Sequence, residues 1–387
     1  MLNGAVTGSL VKELNLQAVY QAVRQLHPVS RAQLARELGT SKPTTGRSIE
    51  ALLAAGLIRQ APPPPGETGY GAVFFEPRPD AATVLGLDIG SRFLRGVLAD
   101  LSGTELARLD LALKYCDRSE VVAKSVRLKD ELAERAGVAT VTAATVGVGG
   151  VVDPQTGAIR VANQPGLNGF AAAADLGAAL GMPVTVENDV NLAAVGEGRH
   201  GAGEAVDDFA FLEVGSGVGA GLVLSGRLRR GHNGAAGEID FVRPGWEFDP
   251  HSPAADAFLA HAERRLTQVM GSSLRSPLTT EAIMDAARDG DRLAASLVKM
   301  EADRIAKYAA QLTKVADLEL IVLGGGLGQN GDLLLEPVRA GLVALTPYPP
   351  RVEVSRLGMA ATLTGAVTLG LEGVLENLVP SRLAAAG

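Results

Sequence analysis

The sequence predicts two folded units, a small and mostly α-helical head over residues 1–78 and an α/β body over residues 79–387. Three observations carry this reading. Residues 12–57 hold three runs of helical periodicity separated by caps and breakers. From Thr83 onward, apolar strand-like runs alternate with helical ones. Charge divides near the same place: residues 1–60 hold seven basic residues against three acidic ones, a net of +4, which leaves −11 for the rest of a chain of net charge −7. A basic head on an acidic body assigns any polyanionic partner to the head.

Composition sets the remaining bounds. The 387 residues suffice for two or three domains and a large core. The 47% hydrophobic and 20% charged content are globular values. The single cysteine, Cys116, excludes an internal disulfide framework and fits a reducing compartment. No basic-then-apolar leader and no uninterrupted apolar run of about 20 residues is visible, so a cytoplasmic protein without membrane contact is expected.

The head opens with "KELNLQAVYQAVRQL", which places Leu14, Ala18, Val19, Ala22, Val23 and Leu26 at helical spacing before His27-Pro28 ends the run. Ser30 caps "SRAQLAREL", which repeats Leu34 and Leu38, and Gly39 breaks it. Ser41 opens "SKPTTGRSIEALLAAGLI", with Pro43 tolerated in the first turn and Ile49, Leu52 and Leu53 facing inward. Gly56 caps that helix, a strand starts at Leu57, "APPPPGETGYGA" forms a tip or linker, and "VFFEP" returns as a strand. Helix, helix, turn, helix and wing make a winged helix-turn-helix. The start of its last helix presents Ser41, Lys42, Thr44, Thr45 and Arg47 to a major groove, with Ser30 and Arg31 near phosphates, so double-stranded DNA is the expected partner. A three-helix interaction domain with a charged, solvated face fits the same pattern. The wing segment "GETGYGA" has no arginine, which predicts little minor-groove reading.

In the body, Val84–Ile89 and Leu94–Asp100 read as strands around a tight turn at Gly90. Later strand-like runs are "TVGVGGVV", "PVTVEND", "DFAFLEVG", "AGLVLSG" and "LELIVLGGG"; a long helical run covers 281–316, and a short tail helix near 359–375 should pack back on an earlier lobe. Glycine-rich loops follow strands at "DIGSR", "VGSGVGAG" and "LGGGLGQNG", where backbone amides could approach phosphate. No GxxxxGK[ST] occurs, and "GSGVGAG" runs into a strand rather than the helix a dinucleotide fingerprint needs. Taken singly, each loop reads as a turn.

Their order is more specific. "LGLDIG", "GVGGVVDPQTGAI", "ANQPG", "VENDVN", "LEVGSGVGAGLVLSGRLRRGHNGAAGEI" and "IVLGGGL" together resemble the ROK family, which groups sugar kinases with sugar-responsive repressors on an actin-like (ribonuclease H-like) two-lobed fold. A winged helix-turn-helix ahead of that body is the pattern of the family's repressors, such as xylose repressors. The resemblance implies sugar contacts at Gly150, Asn163, Asn188, Asp189 and Glu238. Carboxylates and amides suit vicinal hydroxyls, although "END" is also the composition of a strand-end turn. In the family's kinases the residue matching Asp189 is the general base. The kinases' first phosphate loop is Gly-Gly-Thr-Lys-like, whereas Gly90, Ser91, Arg92 and Phe93 stand here. Family members also usually read "GEIGH" followed by a zinc-binding cysteine cluster. Here the segment is Gly237, Glu238, Ile239, Asp240, Phe241 with no cysteine, so a cysteine-type zinc site is ruled out. Packing by Phe241, Trp246 and Phe248 is expected to hold that loop in place of a metal.

The resulting expectation is a sugar-responsive DNA-binding regulator, not an enzyme, with no cofactor and no metal. It would act as a homodimer or higher homo-oligomer whose effector is a monosaccharide, xylose and glucose being the family's examples. A ROK-type sugar kinase with a regulatory head, and a DNA-binding regulator with no working ligand site, are the alternatives.

Overall fold

The computed structural model describes residues 8–65, 72–240, 249 and 251–386. The head consists of α1 (Gly8–Leu26), β1 (Val29–Ser30), α2 (Arg31–Glu37), α3 (Lys42–Ala54), β2 (Ile58–Ala61) and β3 (Phe74–Pro77). Its strands form an antiparallel sheet in the order β1-β3-β2. Ser30 caps α2 in a reciprocal box with Gln33, and Ser41 caps α3 by accepting from the Thr44 amide. The buried stripe of α1 is Leu16, Val19, Tyr20 and Val23, while Leu14 and Leu26 are 54% and 43% exposed. The sequence pattern is ambiguous between two neighbouring stripes, and packing with Phe75 and Val374 selects the one that carries Leu16 and Tyr20. Ala18 is exposed and Leu53 only half-buried. The wing tip, residues 66–71, lies outside the described residues.

The body contains two sheets of the same design. In the first lobe β4 (Thr83–Ile89), β5 (Phe93–Asp100) and β6 (Glu105–Ala112) form an antiparallel meander. After α4 (Arg118–Ala136), β7 (Ala143–Val148) pairs parallel to β4. The chain then passes through β8 (Gly150–Val152), β9 (Ile159–Ala162) and α5 (Ala172–Leu180), and β10 (Val184–Asn188) pairs parallel to β7. Helix α6 (Asp189–His200) follows at once. The second lobe repeats this plan: β11 (Phe209–Val214), β12 (Val218–Leu224) and β13 (Arg227–Arg229) form the meander. Helices α7 (Ala255–Leu266), α8 (Thr280–Arg288) and α9 (Arg292–Ala316) precede β14 (Leu320–Gly324), which lies parallel to β11. After α10 (Gly325–Gly328) and α11 (Gly331–Leu345), β15 (Arg351–Val354) lies parallel to β14, and α12 (Ala361–Ala386) ends the fold. Both sheets run in the order 3-2-1-4-5 of their own strands.

Three sequence expectations are corrected here. "TVGVGGVV" is two strands, because Gly150 adopts φ +126 and a Cβ there would lie 2.1 Å from the Val161 carbonyl oxygen. The run 281–316 is two helices, because Asp291 turns back to cap α9. The tail helix is 26 residues long rather than short. The stretch Gly358–Arg382 is also apolar and long enough to cross a membrane by composition, a feature the sequence reading passed over. Its buried side chains, among them Leu363, Ala366, Val374, Leu378 and Val379, pack inside the fold, while Met359 is 71% exposed.

The two terminal helices of the lobes are exchanged. Helix α6 leaves the first sheet yet packs on β11 and β12 of the second, whereas α12 leaves the second sheet and packs on β4 and β7 of the first. They cross between the sheets at two glycines. A Cβ on Gly365 would sit 1.8 Å from the Leu192 carbonyl oxygen, and one on Gly196 would sit 2.5 Å from that of Ala361. The far half of α12 then enters the head. Val374, Leu378 and Val379 share one buried cluster with Leu16, Val19, Tyr20, Ile49, Leu52 and Phe75, and also with Val84, Ala99 and Leu101 of the first lobe. The Arg382 guanidinium donates to the Ala81 carbonyl. Calorimetry is therefore expected to give no separate head transition. Leu378→Ala, which empties a buried site, should lower the melting of head and body together at a cost of about 2–5 kcal/mol. A head that melts alone in the native protein would contradict the shared core.

Candidate functional site

The ends of β4, β7, β10 and β11 meet between the lobes, where a topological switch leaves a crevice. This cleft has a volume of about 740 Å³. Gly150, Asn163, Asn188, Asp189 and Glu238 all line it, so the five residues singled out in the sequence come together. Their roles in the geometry differ.

Asn188 is buried, and its side chain is committed to the fold. Its Oδ1 accepts from the Asn191 amide at 2.9 Å as the cap of α6, and its Nδ2 donates to the Gly150 carbonyl at 3.0 Å. Beneath it, Glu187 accepts from the Asn191 side chain and from Arg230, which reaches over from the second lobe. Gly150 contributes close backbone passage rather than a directed group. The Asn163 backbone amide donates to the Gly149 carbonyl at 3.1 Å, and the Asn163 side chain lies close over Gly149, where a Cβ would sit 2.7 Å from its Nδ2. Asn163 and Glu238 are both exposed and line the cleft. Asp189 is the first residue of α6, not part of a strand-end turn. One oxygen accepts from the Val190 amide at 2.9 Å, as suits a carboxylate at a helix N-terminus.

Sequence reasoning missed two carboxylates. Asp88 is the last residue but one of β4, Glu213 sits at the matching place in β11, and both line the cleft with Asp189. The signal was present in the quoted motifs: "LDIGS" and "LEVGS" are the same turn used once per lobe. Burial pushes the Asp189 carboxyl well above its ordinary range, and the negative charges of Glu213 and Asp88 push it further. Burial also raises Glu213 and Asp88; Asp88 is partly offset by Arg95, whose Nη1 lies 3.0 Å from it. Gln164 is a further omission: it lines the cleft, and its Oε1 is buried without a hydrogen-bond partner.

Beyond Glu238, Asp240 accepts from Ser252 Oγ at 2.7 Å and from Tyr308 Oη at 2.6 Å, which pins this wall to α9. Phe241, Trp246 and Phe248 lie outside the described residues. Among the described residues no group of three or more His, Cys, Asp and Glu side chains is placed to hold a metal. Arg92 is exposed at the lip of the cleft, and the Gly90 amide in the same turn is already bonded to the Phe93 carbonyl at 3.0 Å.

The head presents a second surface. At the start of α3, Ser41, Lys42 and Arg47 are exposed and Thr44 is half-buried. Thr45 is fully buried, and its hydroxyl bonds Thr40 Oγ1 at 2.8 Å and the Ser41 carbonyl at 3.2 Å. Ser30 is also buried, with its hydroxyl used in the cap of α2. Both therefore leave the expected set of contact residues, because their polar atoms hold the turn rather than face outward. Arg31 is exposed and lies across Gly46, whose absent Cβ would sit 3.3 Å from the guanidinium; its distance to Glu50 is 4.0 Å.

The sequence profile of the ROK family matches residues 84–372. A xylose repressor from Caldicellulosiruptor bescii is 22% identical over 95% of this chain and 98% of its own length. A solved ROK family transcriptional regulator, described as a homologue of the E. coli MLC protein, superposes with a TM-score of 0.81 at 22% identity, covering 96% of this chain and 99% of that one. A ROK family glucokinase from Streptomyces griseus, solved with glucose and AMPPNP, superposes at 0.65 with 26% identity. It covers 76% of this chain and 100% of its own.

The raised carboxyl of Asp189 makes a prediction about stability and pH. A carboxylate whose folded pKa lies above its unfolded value takes up a proton in the folded state first, so stability falls as pH rises through the folded value. Asp189→Asn should thus stabilise the protein more at pH 8 than at pH 5, because the mutual repulsion of Asp189, Glu213 and Asp88 grows as these groups lose their protons. A relief on the order of 1 kcal/mol corresponds to a rise in Tm of about 2 °C. A Tm gain that is the same at both pH values, or larger at pH 5, would refute the charge assignment.

Proposed function

This chain belongs to the ROK family, and on that premise we propose that it is a sugar-responsive DNA-binding transcriptional regulator that acts as a repressor in the cytoplasm. The observation that carries the proposal is the continuity of a helix-turn-helix head with a two-lobed body that holds a polar interlobe cleft. Coverage supports it: the repressor relative extends over the head as well as the body, while the glucokinase structure accounts for only 76% of the chain.

The cleft suits a neutral polyol. Asp189 and Glu238 are acceptors for hydroxyls, Asn163 can both donate and accept, and the unpartnered Gln164 Oε1 offers another acceptor. A monosaccharide closing the lobes on itself would favour one arrangement of α6 against α12, and α12 carries that choice into the head. In a homodimer this would change the spacing of two recognition helices. A coupling of about 1–3 kcal/mol would shift operator affinity roughly 5–150-fold.

Phosphoryl transfer, the rival activity, is disfavoured by the same cleft. Nucleotide phosphates would face Asp88, Asp189 and Glu213, with Asp88 already paired to Arg95 and the Gly90 amide spent in its own turn. Asp189 matches the kinases' general base in the sequence motif, and with no free clamp in the Gly90 turn it is read here as a hydrogen-bond acceptor.

Three outcomes are expected. Replacing Lys42 and Arg47 together with alanine should weaken operator binding at least tenfold and flatten the log–log salt dependence by about two, since each lost phosphate contact removes roughly 0.9 of slope. Unchanged affinity in fluorescence anisotropy would show that α3 is not the recognition helix. Asp189→Ala should weaken monosaccharide binding by about tenfold to a hundredfold in calorimetry, the equivalent of a charged hydrogen bond of about 1.5–3 kcal/mol. The native protein should form no sugar phosphate with saturating ATP and magnesium, and turnover at ordinary enzyme rates would establish the kinase instead.

A further inference from the structure

A second cavity, of about 360 Å³, opens where the head meets the body and shares no lining residue with the interlobe cleft. Four cationic or basic side chains converge on it from three elements: Arg24 from α1 of the head, Arg108 from β6, and Arg199 and His200 from the last turn of α6. Basic residues at the end of α6 are accounted for by the helix dipole. That leaves Arg24 and Arg108 unexplained, since they come from other elements. Arg24 bonds Gln21 within its own helix at 3.2 Å, and among the described residues none of the three arginines has an ion-pair partner. Glu105 and Glu372 also line the cavity, so three guanidiniums face two carboxylates and one positive charge is left over.

The floor is apolar and regular. Val97 and Ala99 alternate along β5 onto one face, with Leu101 continuing it. Leu363, Val367, Leu371 and Leu375 form a four-residue row along α12. A concave apolar floor with a few convergent polar groups is the general form of a small-molecule site.

We propose that this cavity is a second ligand site, for a small organic carboxylate with an apolar body of roughly ten heavy atoms. The carboxylate meets the guanidiniums, with Arg forks suited to bidentate contact, and the body lies on the β5 and α12 floor. Because Arg24 belongs to the head and the other groups to the body, the occupant ties the two together. It would bias the placement of the head independently of any sugar in the cleft.

Calorimetry of the full chain at low salt tests this with hexanoate and benzoate, against hexanol, benzyl alcohol and acetate. Hexanoate or benzoate is expected to bind with a Kd below about 1 mM, at least tenfold tighter than its alcohol and than acetate. Arg108→Ala and Arg199→Ala, both exposed positions that should fold normally, should each weaken that binding at least fivefold, and the double variant should abolish it. Absence of binding up to about 10 mM overturns the proposal. So does equal binding of the alcohols, which would mean an apolar crevice only, equal binding of acetate, which would mean an adventitious ion only, or affinity unaffected by the arginine variants.

Discussion

Helices α6 and α12 cross with their backbones in contact at Gly196 and Gly365, and each packs on the sheet of the lobe it did not come from. Most of the architecture depends on this exchange. Neither lobe can complete its own hydrophobic face without the other's last helix, so the lobes are bound to each other while the cleft between them stays open. Asp189 starts α6 at the floor of the cleft, and Arg199 and His200 end it at the junction with the head. Helix α12 begins beside the cleft and ends inside the head's core. A change in how the lobes close therefore has a route to the head, made of two helices whose closest approach, at Gly196 and Gly365, is backbone on backbone.

The duplicated lobes explain why the cleft is so acidic. The same strand-turn is used twice, and each copy delivers a carboxylate to its end, Asp88 from β4 and Glu213 from β11. Asp189 adds a third from the first turn of α6. Like charges in a half-buried crevice favour protonation or an occupant that neutralises them by hydrogen bonding. Hydroxyl donors answer that need without adding charge. Arg95 answers it for Asp88 alone.

Much of this was legible in the sequence because it rests on local rules. Serine caps, a glycine break and a proline in the first turn marked out the helix-turn-helix, and alternating apolar runs marked out the lobes. The five candidate cleft residues came together as expected, although two of them, Gly150 and Asn188, act through the backbone and the cap of α6. What escaped was non-local. Thr45 sits on the right helix at the right end, but only the fold shows its hydroxyl turned into the α2–α3 corner. The stripe of α1 needed Phe75 and α12 as partners before Leu16 and Tyr20 could be chosen over Leu14 and Leu26. The length of α12 was hidden for the same reason: its apolar faces serve the first sheet, α6 and the head in turn, so it shows no single amphipathic stripe.

That lack of a stripe bears on how the protein can be regulated. A helix with one buried face can shift along it at modest cost, whereas α12 is held on three sides and can move only with its neighbours. The head is tied to it through Val374, Leu378 and Val379 rather than hung on a flexible linker. Motion at the cleft should then reach the head as a small rigid displacement of α12 with the head attached, not as release of a tethered domain. If two copies bind one operator, as proposed, a small displacement is sufficient. Recognition helices must meet successive major grooves about 34–36 Å apart, and a shift of a few ångströms in that spacing removes one half-site from register.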